Sequence, residues 1–136
     1  MTRGDRAPGA ELQQELRDLL CLAVVGDHLR WVIVGDDGEL DRWLSAAVAQ
    51  WRALADEVAD HLVARGVPPD GRVRTLAQDV HLNWVPEGWV PAAEARLMLD
   101  QRLRTVAGWA RLRSQTADPD SARVLEAVCE SLGRAA

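Results

Sequence analysis

Hydrophobic positions recur at intervals of three and four along most of the chain, the spacing of amphipathic helices. Leu12, Leu16, Leu19, Leu20 and Ala23, followed by Leu29 to Ile33, predict a first helix from about Ala10 to Val34. Gly26 is a weak point in it, costing about 1 kcal/mol against alanine in a helix interior. Val32-Ile33-Val34 has the character of a strand, but no partner strand is expected, and Gly35-Asp36-Asp37-Gly38 reads as a turn. Leu40, Leu44, Ala47, Trp51, Leu54, Val58 and Leu62 form one continuous stripe, predicting a second helix from about Glu39 to Arg65. At 1.5 Å per residue it would be roughly 40 Å long. Gly66 stands where a left-handed residue ends a helix, and Pro68-Pro69 prevents continuation.

Residues 67–90 form a long connection, expected to hold a helical turn or two near Thr75–Leu82, because structureless loops of that length are uncommon in compact domains. Trp84 and Trp89, around Pro86-Glu87-Gly88, are expected to cover an apolar surface. A third helix opens at Pro91 and reaches about Gln115, with Leu99, Leu103, Val106 and Ala110 on its buried face. Its arginines, Arg96, Arg102, Arg104, Arg111 and Arg113, read as a solvated outer face. Asp118-Pro119 supplies a cap and a first-turn proline for a last helix carrying Leu125, Val128 and Leu132. The fold class expected is all-α: a ferritin-like four-helix bundle over residues 10–136, with a long crossover between its second and third helices. Residues 1–9 are expected to be a short disordered tail.

The length of 136 residues suits one domain with a core of its own, needing neither disulfides nor a metal to hold it. A net charge of −5 gives no bulk field that attracts nucleic acid. Lysine, phenylalanine and tyrosine are absent, and coding bias accounts for that more simply than function does. Cys21 and Cys129 lie in separate helices without a CxxC pair, as expected of free buried thiols in a reducing, cytoplasmic compartment. The apolar run Leu19–Val25 is too short to span a membrane.

The chemistry of the chain centres on Asp56 and Asp60. Four residues apart on a helix, their carboxylates share a face, about 5–6 Å apart at Cβ, and repel unless a cation or an arginine lies between them. No Gly-rich phosphate loop, His-Glu-x-x-His or GxSxG motif occurs.

Three stretches carry a resemblance to the Dps family of miniature ferritins. Arg30-Trp31-Val32-Ile33-Val34-Gly35 resembles the end of the family's first helix. Ala55-Asp56-Glu57-Val58-Ala59-Asp60-His61, with Arg65-Gly66-Val67-Pro68-Pro69-Asp70-Gly71 behind it, resembles its Asp-x-x-Ala-Glu-Arg segment and the glycine-proline turn. Asp118 to Leu125 resembles the start of its last helix. The resemblance implies a homo-oligomer, a dodecameric shell or something smaller, that binds and stores iron. It also implies peroxide-linked oxidation of ferrous iron (a ferroxidase activity) at sites shared between two subunits, and stress protection, with DNA coated in some members. Asp56, Asp60 and Asp41 would be the metal ligands, with Trp31 beside them.

This chain departs from the family's ligand pattern. Arg30 stands where a histidine belongs, and a guanidinium cannot ligate a metal. The segment between Gly35 and Asp56 is one residue short. With the gap in the turn, Asp41 and Ser45 take the places of a histidine and an aspartate; with the gap later, Arg42 and Ala46 do. Asp60 replaces a glutamate with one methylene less reach. His28 and His61 do not restore the set, since His28 lies two residues, about 200°, from Arg30. The alternative to an iron protein is a non-catalytic, ferritin-like structural subunit. In it Arg30 takes the metal's place by pairing with Asp56 or Asp60 across a subunit interface, and the subunit co-assembles with a relative or contacts DNA. The family's last helix continues past the position of Leu132, so a smaller assembly is also expected.

Overall fold

The computed structural model describes residues 9–79 and 85–135. Its chain order is helix α1 (Ala10–Val32), strand β1 (Ile33–Val34), helix α2 (Glu39–Ala64), short helix α3 (Val73–Ala77), strand β2 (Val90–Pro91), helix α4 (Ala92–Ser114) and helix α5 (Pro119–Ala135). The four long helices are those predicted. They pack as two hairpins, α1 with α2 and α4 with α5, which meet mainly through α1 against α4 and α2 against α5.

One core cluster runs through the bundle. It holds the stripe residues Leu12, Leu16, Leu19, Leu29, Leu44, Trp51, Val58, Leu62, Leu99, Leu103, Leu125 and Leu132. Their three-and-four spacing makes each helix bury one side, and burial of leucine or valine contributes about 1.5–3 kcal/mol per side chain. α1 runs unbroken through Gly26, and the glycine has a packing role. A Cβ there would meet Val48 Cγ2 at 2.6 Å and Trp51 Cζ3 at 2.9 Å, so the missing side chain is what allows α1 to approach α2 so closely.

The helix ends follow local chemistry. At the end of α2, Gly66 adopts φ 75°, with Val67 N–H donating to Leu62 O at 3.0 Å and Gly66 N–H to Val63 O at 2.9 Å. This is the Schellman closure that the glycine foretold. Asp118 caps α5, accepting from the Ser121 N–H at 3.2 Å and the Ser121 hydroxyl at 2.8 Å. The same carboxylate takes Arg65 Nη1 at 2.6 Å on Oδ1 and Nη2 on Oδ2, tying the end of α2 to the α4–α5 turn.

The crossover is pinned at both ends. Gln13 on α1 brackets Asp70, donating to its carbonyl at 2.8 Å and accepting its N–H at 3.1 Å. At the opposite end, Ile33 pairs with Val90 and Val34 with Pro91 in a two-residue parallel bridge. This corrects the expectation that Ile33-Val34 has no partner strand: the partner arrives at the far end of the crossover, fifty-seven residues on. α3 supplies the expected helical turn. Trp84, the far end of the predicted Thr75–Leu82 turn and the tail residues 1–8 lie outside the described residues. Trp89 departs from expectation, being 74 % exposed instead of covering an apolar surface.

The arginine face of α4 is not uniformly solvated. Arg96 lies over the Trp43 ring, 4.0 Å from its centroid, and pairs with Asp100. Arg113 turns inward to two buried carboxylates, Glu15 and Asp18. No helix among the described residues is long and apolar enough to cross a membrane.

Candidate functional site

The candidate residues lie on the last turns of α1 and along the outer face of α2. The entry to α2 is fixed by Asp36, which accepts the N–H of Leu40 on Oδ1 and of Asp41 on Oδ2, both at 3.1 Å, while Asp37 takes the N–H of Glu39 at 3.1 Å. Desolvation pushes the Asp36 carboxyl upward, but the N–H groups of Leu40, Asp41 and Gly38 outweigh it and hold it below the usual carboxylate range. Positive partial charge at a helix N-terminus favours this ionised cap.

Held by this entry, Asp41 faces Arg30. Arg30 Nε donates to Asp41 Oδ1 at 3.2 Å, and Arg30 Nη1 donates to Asp27 Oδ1 at 3.3 Å. Asp27 is shared, its Oδ2 accepting Arg52 Nη2 at 3.1 Å. The result is an alternating chain of charges, Asp41, Arg30, Asp27 and Arg52, along the α1–α2 seam. It sits beside the Gly26 contact with Trp51, so the close approach of the helices also sets the reach of these pairs. Sequence reasoning overlooked Asp27 and Arg52. Asp27 was within reach of it, because a carboxylate three residues before an arginine on a helix shares its face.

Asp56 and Asp60 are exposed on α2 and make no ion pair among the described residues. They cannot join Asp41 within one chain. α2 is unbroken from Glu39 to Ala64, so Asp56 lies about 22 Å and Asp60 about 28 Å along its axis from Asp41 at 1.5 Å per residue. Any site uniting the three needs a second chain. Among the described residues, no group of three or more His, Cys, Asp or Glu side chains could hold a metal ion. The guanidinium of Arg30 adds a further obstacle, since at about 4 Å and an effective dielectric of 20 it repels each unit of metal charge by about 4 kcal/mol. Among the described residues, then, one chain by itself assembles no such set of ligands.

The remaining sequence candidates are dispersed. Trp31 is beside Arg30 but 71 % exposed. Ser45, Arg42 and Ala46 are exposed on α2. His28 Nε2 lies 3.3 Å from the Pro86 carbonyl, on the crossover. His61 is half-buried in the last turn of α2, with Nε2 buried and unpartnered. Among the described residues, neither histidine has a hydrogen bond or ion pair to the Arg30 network.

No family model matches the chain, and no curated protein matches it in sequence. Solved structures do match. The C-terminal deletion mutant of Mycobacterium smegmatis Dps superposes with a TM-score of 0.83 at 21 % identity, covering 92 % of this chain and 90 % of that one. Dps from Microbacterium arborescens in the high iron form gives 0.82 at 20 % identity, over 93 % and 86 %. Dps92 from Deinococcus radiodurans gives 0.77 at 24 % identity, over 91 % and 79 %. Helix order, the long crossover and near-complete overlay agree with one another: the chain has the ferritin-like fold of the Dps miniature ferritins.

Proposed function

We propose that this protein is a structural subunit of a Dps-like homo-oligomer, in which arginine–carboxylate pairing stands where the family resemblance calls for iron ligands. The observation that carries this reading is the Arg30 guanidinium, held between Asp27 and Asp41 at 3.3 and 3.2 Å. By the family resemblance it stands where a ligand histidine would, and it pairs with Asp41, one of the three candidate ligands. Two of its nitrogens are engaged within the chain, which leaves Nη2 for a carboxylate of a second copy. Asp56 and Asp60 supply an exposed acidic pair on the same helix as Arg52, so the α1–α2 face carries both charges needed for self-complementary pairing. Exposed Trp31 and Val24 on α1 add apolar area to that face.

Charge reversal tests this. Arg30→Asp should shift the assembly toward monomer, and adding Asp56→Arg and Asp60→Arg should restore it, as read by sedimentation velocity. Assembly that ignores both changes removes the reading.

A second reading, iron binding with peroxide-linked oxidation of ferrous iron, is favoured by the same unpaired Asp56 and Asp60. The Microbacterium arborescens relative of like fold is described in a high iron form. Under this reading Asp56→Ala abolishes iron-dependent oxidation; under the first there is none to abolish.

A further inference from the structure

Away from the Arg30 network, α1 carries two acidic residues that the bundle buries. Glu15 is 0 % and Asp18 4 % exposed. Both carboxylates bond to the same atom, Arg113 Nη1, at 2.8 Å from Glu15 Oε1 and 2.6 Å from Asp18 Oδ2. Asp18 has additional support from Gln14 Nε2 at 3.2 Å on Oδ1. Glu15 has none: its Oε2 is buried without a hydrogen-bond partner.

Two buried carboxylates therefore share one guanidinium nitrogen, so within this directly bonded triad one carboxylate charge has no cation of its own. The other charged groups around them are Arg17 on α1, Arg102 on α4 and Asp79 just after α3; Asp79 and Arg102 act on Asp18 from a distance. α2 and α5 contribute no charged residue to the buried set, whose polar members are Glu15, Asp18 and Ser121. Glu15 has fewer stabilising bonds than Asp18, so its carboxylate is the less stabilised of the two.

We propose that Glu15, Asp18 and Arg113 form a proton-controlled latch between α1 and α4. Protonated Glu15 keeps the seam closed, and its ionisation loosens the end of α4 together with the wall of the adjoining cavity. Arg113 is the penultimate residue of α4, where the helix end can yield. It also lines a cavity of about 530 Å³ together with Gln14, Arg17, Gln78 and Trp109, so a change in its pairing reaches that cavity directly. Burial pushes Glu15 up to about 7; Arg113 opposes this and the Asp18 charge adds to it. Burial raises Asp18 too, against Arg113 and Gln14.

The sign follows from linkage. The folded state holds the Glu15 proton more tightly than the unfolded chain, so stability is full below the ordinary value of 4.5 and is lost as pH rises toward and through 7. The gap corresponds to roughly two to three factors of ten in the folding equilibrium constant, most of it falling between about pH 5 and pH 9.

The test compares the full chain with Glu15→Gln by urea denaturation from about pH 5 to pH 9 at fixed protein concentration. The wild type should lose about a hundredfold in its folding constant across that window, and Glu15→Gln should lose far less, since the carboxyl whose ionisation drives the loss is gone. Asp18→Asn, which removes the neighbouring like charge, should move the loss to lower pH and serves if Glu15→Gln does not fold. Amide exchange at residues 110–114 should accelerate over the same window beyond its intrinsic pH dependence. An unchanged pH slope in Glu15→Gln, an unmoved loss in Asp18→Asn, or exchange at the end of α4 indifferent to Glu15 would each overturn the latch.

Discussion

Gly26→Ala should destabilise the bundle, although it places a better helix former inside a helix. In an isolated helix the change would be favourable by about 1 kcal/mol. Here the new methyl would lie 2.6 Å from Val48 Cγ2 and 2.9 Å from Trp51 Cζ3, well inside the ~3.5 Å at which carbon atoms attract. Neither neighbour can swing into water, as Val48 is 5 % and Trp51 1 % exposed. Overpacking of a full core costs about 1–3 kcal/mol, and contacts this short between buried groups belong at the upper end. The net expectation is a loss of about 1–2 kcal/mol after the propensity gain is set against it. Val48→Ala removes the nearest of the clashing methyls, so the double variant should lose at least about 1 kcal/mol less than the sum of the singles. Urea denaturation followed by circular dichroism, at one protein concentration, measures all three. A stabilised Gly26→Ala, or strict additivity in the double variant, would refute the claim that this glycine sets the α1–α2 distance.

Three further outcomes are expected. Asp118→Ala should cost about 1–2 kcal/mol through the lost α5 cap. Arg65, then the Ser121 bonds, hold the Asp118 carboxyl below the usual range, so this contribution is present above the ordinary carboxylate pKa and fades in acid; thermal melts should show the wild-type advantage closing as pH falls. Cys21, whose thiol burial pushes up to about 12 with help from Asp79 and Asp18, should resist maleimide in the native state while half-buried Cys129 reacts first, as peptide mass mapping would show; early labelling of Cys21 contradicts this. Trp31→Ser should leave the monomer fold intact by circular dichroism yet weaken assembly about tenfold or more by sedimentation; unchanged assembly would place the interface elsewhere.

The helices were legible because burial imposes a period. Leu44, Trp51, Val58 and Leu62 recur as one stripe, and all four are buried in α2. The stop at Gly66 and the start at Asp118 were legible because their chemistry is local. The parallel bridge was not, since two residues that pair with a segment fifty-seven positions away leave no pattern in either stretch. Arg113 was read as one more solvated arginine. Its buried partners, Glu15 and Asp18, lie ninety-eight and ninety-five residues earlier, and nothing within α4 distinguishes it from Arg111. At the candidate site, the face shared by Asp56 and Asp60 was readable from spacing, and so was the unsuitability of Arg30 as a ligand. What spacing could not supply was the direction of the Arg30 fork, which turns to Asp27 and Asp41 within its own chain.

On the function proposed above, this Dps-type bundle assembles without an iron site of the family's kind. Size-exclusion chromatography with in-line light scattering and iron detection, after addition of ferrous iron and peroxide, tests it most directly. The expected result is an oligomer that elutes without retained iron. An oligomer that co-elutes with many irons per chain would contradict it and return Asp56, Asp60 and Asp41 to the role of ligands.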